Sequence, residues 1–428
     1  MKLLYMILIC VPLPFGSISP IWKWFWVITI GVATLSHLLF SKARLPRMAS
    51  GQACSSFRSL ASVYLPLYFL VFLTASQSLF LNTQYSGGVV GGEWFFLSHL
   101  ALLYFASTVA STLDKFKNLT WFCGITGAIY ASYGLILHFA GSDTILWFQK
   151  TNPESTLSST FVNRNNFASF LGIAIVCLLG LLLDGLHSTE ASAPPKKREL
   201  VQMAWDKVAF TVSLLVILFT ALMLTGSRAA IVSVFVGMLL LVFFYIREGN
   251  ATGYQKIIIT VPIIIFGLFW AELNGDLLWY RITYGSVFSN DPRFDVYIEA
   301  WPMIYEAPFW GFGLGWFEPT YSLIRTENMG VVFLRMHSDI LEFVLAVGIF
   351  GTLALLYSLV CFMSFVVRAG RKLGSFSLRF VPIILVIQLT LNSVIDFPLQ
   401  VSAITYTIII LFGAALGVGV NLRESRFR

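Results

Sequence analysis

The sequence predicts an all-α polytopic membrane protein of about twelve transmembrane helices, and three observations carry that reading. Charged residues make up only 11% of the 428 positions and hydrophobic ones 57%, whereas a soluble domain carries roughly 25% charge. Apolar runs of helical membrane length recur from end to end, which suits a helical bundle better than a barrel of short alternating strands. The basic residues lie mostly on one side of those runs. One polytopic domain, 1–428, is the expected organisation.

The runs fall at 3–18, 20–40, 58–81, 93–111, 119–140, 166–186, 204–224, 229–246, 254–271, 338–367, 376–395 and 400–421. The first carries Pro12 and Pro14 and has the length of a secretory signal, but no small-residue cleavage pattern follows it, so it is read as a helix. With the amino terminus in the cytoplasm, only eight of the 28 basic residues fall outside: Lys23, Lys150, Arg164, Arg228, Arg281, Arg293, Arg325 and Arg335. That is a positive-inside distribution with both termini cytoplasmic. The net charge of +7 is thus explained by topology and gives no support to a nucleic-acid partner. Cys10, Cys54, Cys123, Cys177 and Cys361 show no CxxC spacing, so neither a disulfide framework nor a zinc site is expected.

Two external connections are long, 141–165 and 272–337. The second is rich in aromatics and holds Glu272, Asp276, Asp291, Asp295, Glu299, Glu306, Glu318 and Glu327. Long loops in compact bundles are usually functional or disordered, and the aromatic content argues for order. From Arg293, the residues Val296, Tyr297, Ala300, Trp301 and Ile304 recur at helical spacing while Asp295 and Glu299 fall off the stripe, which predicts a short amphipathic helix at the outer interface. The Ser/Ala/Pro/Lys stretch 187–199 reads as a cytoplasmic tether.

Ionisable groups at the outer face are where chemistry is expected, because a charge kept within a bilayer is costly, roughly 2.5 to 3.5 kcal/mol at its centre, and usually has a partner or a task. Arg228 closes the tight turn Thr225-Gly226-Ser227-Arg228 and can present its planar fork to a phosphate or carboxylate, or simply snorkel at a helix end. Arg293, in Asp291-Pro292-Arg293-Phe294-Asp295, can close over an anion or pair locally. The run Gly311-Phe312-Gly313-Leu314-Gly315 lacks the strand and helix of a nucleotide fold and predicts a tight turn packed under aromatics. In Arg335-Met336-His337-Ser338-Asp339-Ile340-Leu341-Glu342, His337 stands at the loop's return to the membrane, where it is either an interfacial side chain or a base for a sugar hydroxyl. His37, His99 and His138 lie in apolar runs and read as packing residues. Asn163 and Arg164, in Phe161-Val162-Asn163-Arg164-Asn165-Asn166-Phe167, and Asp396, in Asn392 to Gln400, put polar groups at the same face, as caps or as site residues.

In order and spacing these segments, from about 161 to 400, resemble the O-antigen ligase and polymerase superfamily of bacterial envelope glycosyltransferases. The likeness rests on the Asn-rich entry at Phe161–Phe167, the Ser-Arg turn at Thr225–Arg228, the Arg293 to Pro308 to Gly315 segment, the histidine-led helix from His337 to Gly351, and the Asp-Phe-x-Leu-Gln element ending at Gln400. It departs from the family pattern at Ser338, Ala346 and Val347. The resemblance implies a GT-C type, metal-independent, inverting enzyme of the bacterial inner membrane, without a cofactor and with its active site facing the periplasm. Its implied donor is an undecaprenyl-diphosphate-linked glycan. The acceptor would be lipid A core in a ligase, or a second lipid-linked repeat in a polymerase of O-antigen or exopolysaccharide. On that reading Arg228 and Arg293 bind the diphosphate and His337 activates the acceptor hydroxyl. Arg335, Asp339, Glu342, Asn163, Arg164 and Asp396 would support them. A lipid-linked sugar transporter is disfavoured because the mid-span segments are largely apolar and the ionisable residues crowd the outer face.

Overall fold

The computed structural model describes residues 1–40, 53–80, 92–149, 156–189, 198–249, 292–324 and 335–424, with isolated helical positions at 260, 261, 264 and 267. Its helices are α1 (Lys2–Cys10), α2 (Pro20–Phe40), α3 (Ala53–Phe80), α4 (Gly92–Val109), α5 (Leu113–Phe139), α6 (Arg164–Thr189), α7 (Arg198–Leu224), α8 (Arg228–Arg247), α9 (Pro292–Ala300), α10 (Phe317–Ile324), α11 (Asp339–Leu373), α12 (Phe376–Ser393) and α13 (Ser402–Glu424). A two-stranded hairpin pairs Thr144–Ile145 with Phe148–Gln149. In hydrocarbon every backbone N–H and C=O must find a partner within its own segment, which is why apolar runs of this length wind into helices.

Among the described residues nine helices are long and apolar enough to cross a membrane, so the chain is a multi-pass membrane protein. Helix α4 has 18 residues, a length of about 27 Å, but Glu93, Ser98 and His99 make it more polar. The expected span 254–271 lies outside the described residues apart from four positions, as do 272–291 and 325–334 of the large loop and 190–197 of the tether. The first span needs correction: its helix ends at Cys10 after nine residues, about 14 Å. Pro12 and Pro14 lack the N–H that would continue it, and the chain turns through a 3-10 element at Phe15–Ser17. The segment is nonetheless buried at Leu4, Ile7, Leu8 and Val11. It runs along α5, from Met1, within electrostatic reach of Lys115, to Ile9, whose carbonyl accepts the Tyr130 hydroxyl at 2.6 Å.

Helix α6 is the central post. Of its membrane-length stretch 89% is buried, against 22% for the peripheral α2, and α5, α7, α8 and α12 pack around it. With lipid outside as apolar as the side chains, close packing supplies the attraction between helices, and small residues allow it. A Cβ added at Gly127 of α5 would come 2.3 Å from Ala174 Cβ of α6. At the end that the charge distribution assigns to the cytoplasm, ion pairs clamp the bundle. Lys117 Nζ meets the buried Asp184 at 2.5 Å, and Asp184 also accepts from Ser377 N at 3.0 Å, joining α5, α6 and α12. Arg379 makes a two-pronged pair with Glu248, at 2.5 and 2.6 Å.

At the opposite end the large loop folds onto the bundle through its own core of Val296, Ala300, Met303, Trp316, Phe317 and Tyr321 against Leu70, Leu73 and Leu345–Val347. The expected amphipathic helix is present as α9. Trp301, placed on its buried stripe, is instead 54% exposed, because Pro302 starts a 3-10 turn at Trp301–Tyr305 whose tighter winding rotates it outward. The glycine run forms the tight turn expected of it and docks on a break in α11. Gly348 adopts φ 64°, ψ −171° inside that helix. The groups thus freed pair with the loop: Phe312 N to Leu345 O at 2.9 Å, Gly313 N to Ala346 O at 2.8 Å, and Ile349 N to Pro308 O at 2.9 Å.

Candidate active site

The starts of α6, α8, α9, α11 and α13 and the end of α12 gather at this end of the bundle, and they carry every residue picked out from the sequence. His337 precedes α11 in a left-handed backbone conformation, φ 56°, which a β-substituted residue adopts only when its surroundings enforce it. The enforcing contacts are visible. Tyr297 of α9 donates its hydroxyl to His337 O at 2.7 Å. The Phe397 ring meets the imidazole edge to face at 4.9 Å. Met336 N donates to Glu342 Oε2 at 3.1 Å, and Arg335 pairs with Glu342 Oε1 at 3.6 Å. Ser338 caps α11, accepting from Leu341 N at 3.4 Å.

Asp339 reaches across to the α12–α13 connection. Its carboxylate accepts from Leu399 N at 2.6 Å and Ser393 Oγ at 3.3 Å, and its N–H donates to Asp396 O at 3.1 Å. The structure gives Glu342 and Asp339 work on the backbone either side of His337: Glu342 holds the strand that enters it, and Asp339 holds the loop that bears Phe397.

Arg293, in the first turn of α9, donates to Ile395 O at 3.0 Å. It lies within electrostatic reach of Asp396. Burial pushes the Asp396 carboxyl above the ordinary carboxylate range, while the Phe397 N–H, Arg293 and the Asn165 side chain hold it down. Its Oδ2 is buried with no hydrogen-bond partner among the described residues.

Asn165 leads to the third region. Asn163 Oδ1 accepts Asn165 N at 2.7 Å at the entry to α6, and Asn392 Nδ2 donates to Ser169 Oγ, tying α12 to α6. The next residue, Arg164, places its guanidinium beside the α7–α8 turn, with Nη1 4.0 Å from where a Cβ on Gly226 would stand. That turn ends in Ser227 and Arg228. A series of neighbours thus runs from the α7–α8 turn through Arg164, Asn165 and Asp396 to Arg293 and Asp339. The other histidines expected to be packing residues meet aromatic rings edge-on or tilted: His37 meets Phe105, His99 meets Tyr406 and His138 meets Phe139.

Tyr297, Asn165, Ser393 and Phe397 belong to this constellation without having been singled out as site residues. Asn165, Ser393 and Phe397 lay inside quoted motifs, while Tyr297 read as an apolar stripe residue although its hydroxyl needed a partner. Chemically the arrangement offers arginines at one end of the bundle that suit an anion, and an imidazole set against the Phe397 ring. Among the described residues no group of His, Cys, Asp and Glu is placed to hold a metal ion.

No curated protein matches the chain. Residues 213–356 match the family model described as O-Antigen ligase, a stretch that runs from α7 through Arg228, Arg293 and His337 to the glycine pair of α11. That match supports, over residues 213–356, the likeness to the O-antigen ligase and polymerase superfamily drawn from the motifs.

Proposed function

We propose that this protein is an O-antigen ligase-type glycosyltransferase of the bacterial inner membrane. It moves a glycan from undecaprenyl diphosphate to a surface acceptor such as lipid A core at the periplasmic face. The observation that carries the reading is the gathering of Arg228, Arg293 and His337 at one end of the bundle, inside the stretch that matches the family. Net transfer forms a bond from the acceptor oxygen to the anomeric carbon and breaks the bond from that carbon to the diphosphate, with inversion. His337 takes the acceptor's proton, and the polyprenyl diphosphate leaves with the bonding pair. Arg228 and Arg293 stabilise the growing negative charge, a role that other such enzymes give to a cation. Aromatic side chains of the loop, such as the exposed Trp301, Tyr305 and Trp310, offer faces for pyranose rings.

The test is transfer by the reconstituted protein with lipid A core and a second lipid-linked glycan offered in parallel, with EDTA present. Transfer to lipid A core that His337→Ala abolishes establishes the ligase. Elongation of the lipid-linked chain makes the protein a polymerase. An Arg228→Ala protein with wild-type transfer overturns the diphosphate assignment, since loss of one preorganised donor should cost about 100-fold or more.

A further inference from the structure

The turn that docks the large loop on α11 fixes its backbone inward and leaves two rings outside. Gln77 of α3 donates its Nε2 to Trp310 O at 2.5 Å and to Ala346 O at 3.0 Å, while Phe309 and Trp310 are 54% and 56% exposed. Both rings pack on Phe350 of α11, with centroids 5.6 and 5.1 Å away, and Phe350 N donates to Phe309 O at 3.3 Å. Phe350 belongs to an exposed apolar stripe of Ile349, Phe350, Leu353, Leu356, Tyr357 and Val360. These recur at helical spacing on one face of a helix long and apolar enough to span the membrane, so the stripe faces lipid. Two independent counts give the depth of the contact. In α11 the basic end assigned to the cytoplasm begins at Arg368, and residues 349–367 before it rise about 28 Å, close to a hydrocarbon thickness of about 30 Å. In α3 the apolar stretch Leu60–Ser78 follows Arg58 of the same side and rises about 28 Å as well. Phe350 and Gln77, which hold Phe309 and Trp310, therefore both stand at the outer boundary of the hydrocarbon. From Ala307 to Gly315 the loop carries no charged residue.

We propose that Phe309 and Trp310 are a foot by which the large loop rests on the outer leaflet of the bilayer, their rings at the level where hydrocarbon meets the lipid headgroups. An indole favours that level because its apolar face and its N–H are both satisfied there. In water the two rings would add to a contiguous apolar patch, whereas against lipid the same surface is buried. The occupant is lipid rather than a second copy of the chain, because the patch runs without interruption into the stripe of α11 that faces lipid. The inference needs no enzymatic activity. On the transferase reading it fixes the ring face that Trp310 offers to a sugar at the depth where a lipid-linked glycan leaves the bilayer.

The protein is placed in nanodiscs of phosphatidylcholine that carries bromine either near the headgroup end of an acyl chain or near its tip. Tryptophan fluorescence is measured for wild type and for Trp310→Phe, and the difference isolates Trp310 among the 12 tryptophans. Iodide added to the buffer quenches from the water side. The Trp310 share should lose more intensity to bromine near the headgroups than to bromine at the chain tips, and little to iodide. A share quenched by iodide and untouched by bromine faces water or glycan and overturns the foot. A share untouched by either quencher is covered by protein and overturns it too. Strongest quenching from the chain tips overturns the boundary depth. If Trp310→Phe lowers the melting temperature, Phe309→Trp takes its place, and the intensity gained over wild type must show the same order of quenching.

Discussion

Asp339 ties the first turn of α11 to the loop that carries Phe397, so replacing it should loosen His337 without touching it. The carboxylate is the acceptor for a part-buried donor, Leu399 N at 2.6 Å, and a buried one, Ser393 Oγ at 3.3 Å. Asp339→Ala orphans both. A buried donor without an acceptor costs roughly 1 to 3 kcal/mol, and the Ser393 hydroxyl can rotate to lessen its share, so the sum is about 3 kcal/mol. Asp339→Asn keeps one oxygen for Leu399 N and should lose only about 1 kcal/mol. Unfolding in mixed micelles of increasing SDS content measures the difference, with the two variants predicted in that order. Transfer should fall with them through kcat rather than KM, because the Phe397 ring that steadies the imidazole at 4.9 Å moves with the loop. An Asp339→Ala protein within about 0.5 kcal/mol of wild type, the scale of an ordinary surface substitution, refutes the tie. A destabilised variant with unchanged kcat refutes the link to His337.

Two other perturbations probe the same end of the molecule. Gly348→Ala would put a Cβ 2.4 Å from Phe309 O at a backbone conformation reserved for glycine, so the loop should lift off α11 at a cost of about 3 kcal/mol. Limited proteolysis within 301–324 reads this out, and unchanged protection of that segment refutes the docking. For Asp396, burial raises the folded-state pKa, so the folded protein binds a proton that the unfolded chain releases. Stability should be greatest below the unfolded carboxylate value of about 3.9 and decline as pH rises through the raised folded one. Asp396→Asn should remove that decline, and Arg293→Gln should extend it upward because the guanidinium holds the pKa down. Superimposable stability profiles for wild type and Asp396→Asn refute it.

The spans were legible because hydrocarbon imposes a single test, length and apolarity, that composition answers directly. Nine helices pass it among the described residues. The error at the first span came from weighing Pro12 and Pro14 only as marks of a secretory signal, whereas they end α1 at Cys10 and leave a buried segment that is helical over only half its length. Trp301 was misplaced for a related reason: its position fits a 3.6-residue repeat, and a proline one residue later changes the repeat. In both cases local covalent chemistry overrode a periodic pattern.

The site was legible as a set of motifs but not as a geometry, and the reason is the number of long-range backbone ties. Phe312 pairs with Leu345, and Asp339 with Leu399 and Asp396. Each bond joins segments that look independent in the chain, since a backbone N–H or C=O has no letter of its own. Gly348 illustrates the point. Read alone it is a helix glycine and Gly311 a turn glycine, yet in the fold each would carry its Cβ into the other's neighbourhood. A Cβ on Gly311 would lie 2.6 Å from Gly348 N, and one on Gly348 would lie 2.6 Å from Trp310 N. Two motifs that seemed to be separate turns are one joint, and it seats the large loop beside His337. The order of motifs along this chain therefore records which backbones must meet, and the side chains that do chemistry are placed by glycines and carboxylates that do none.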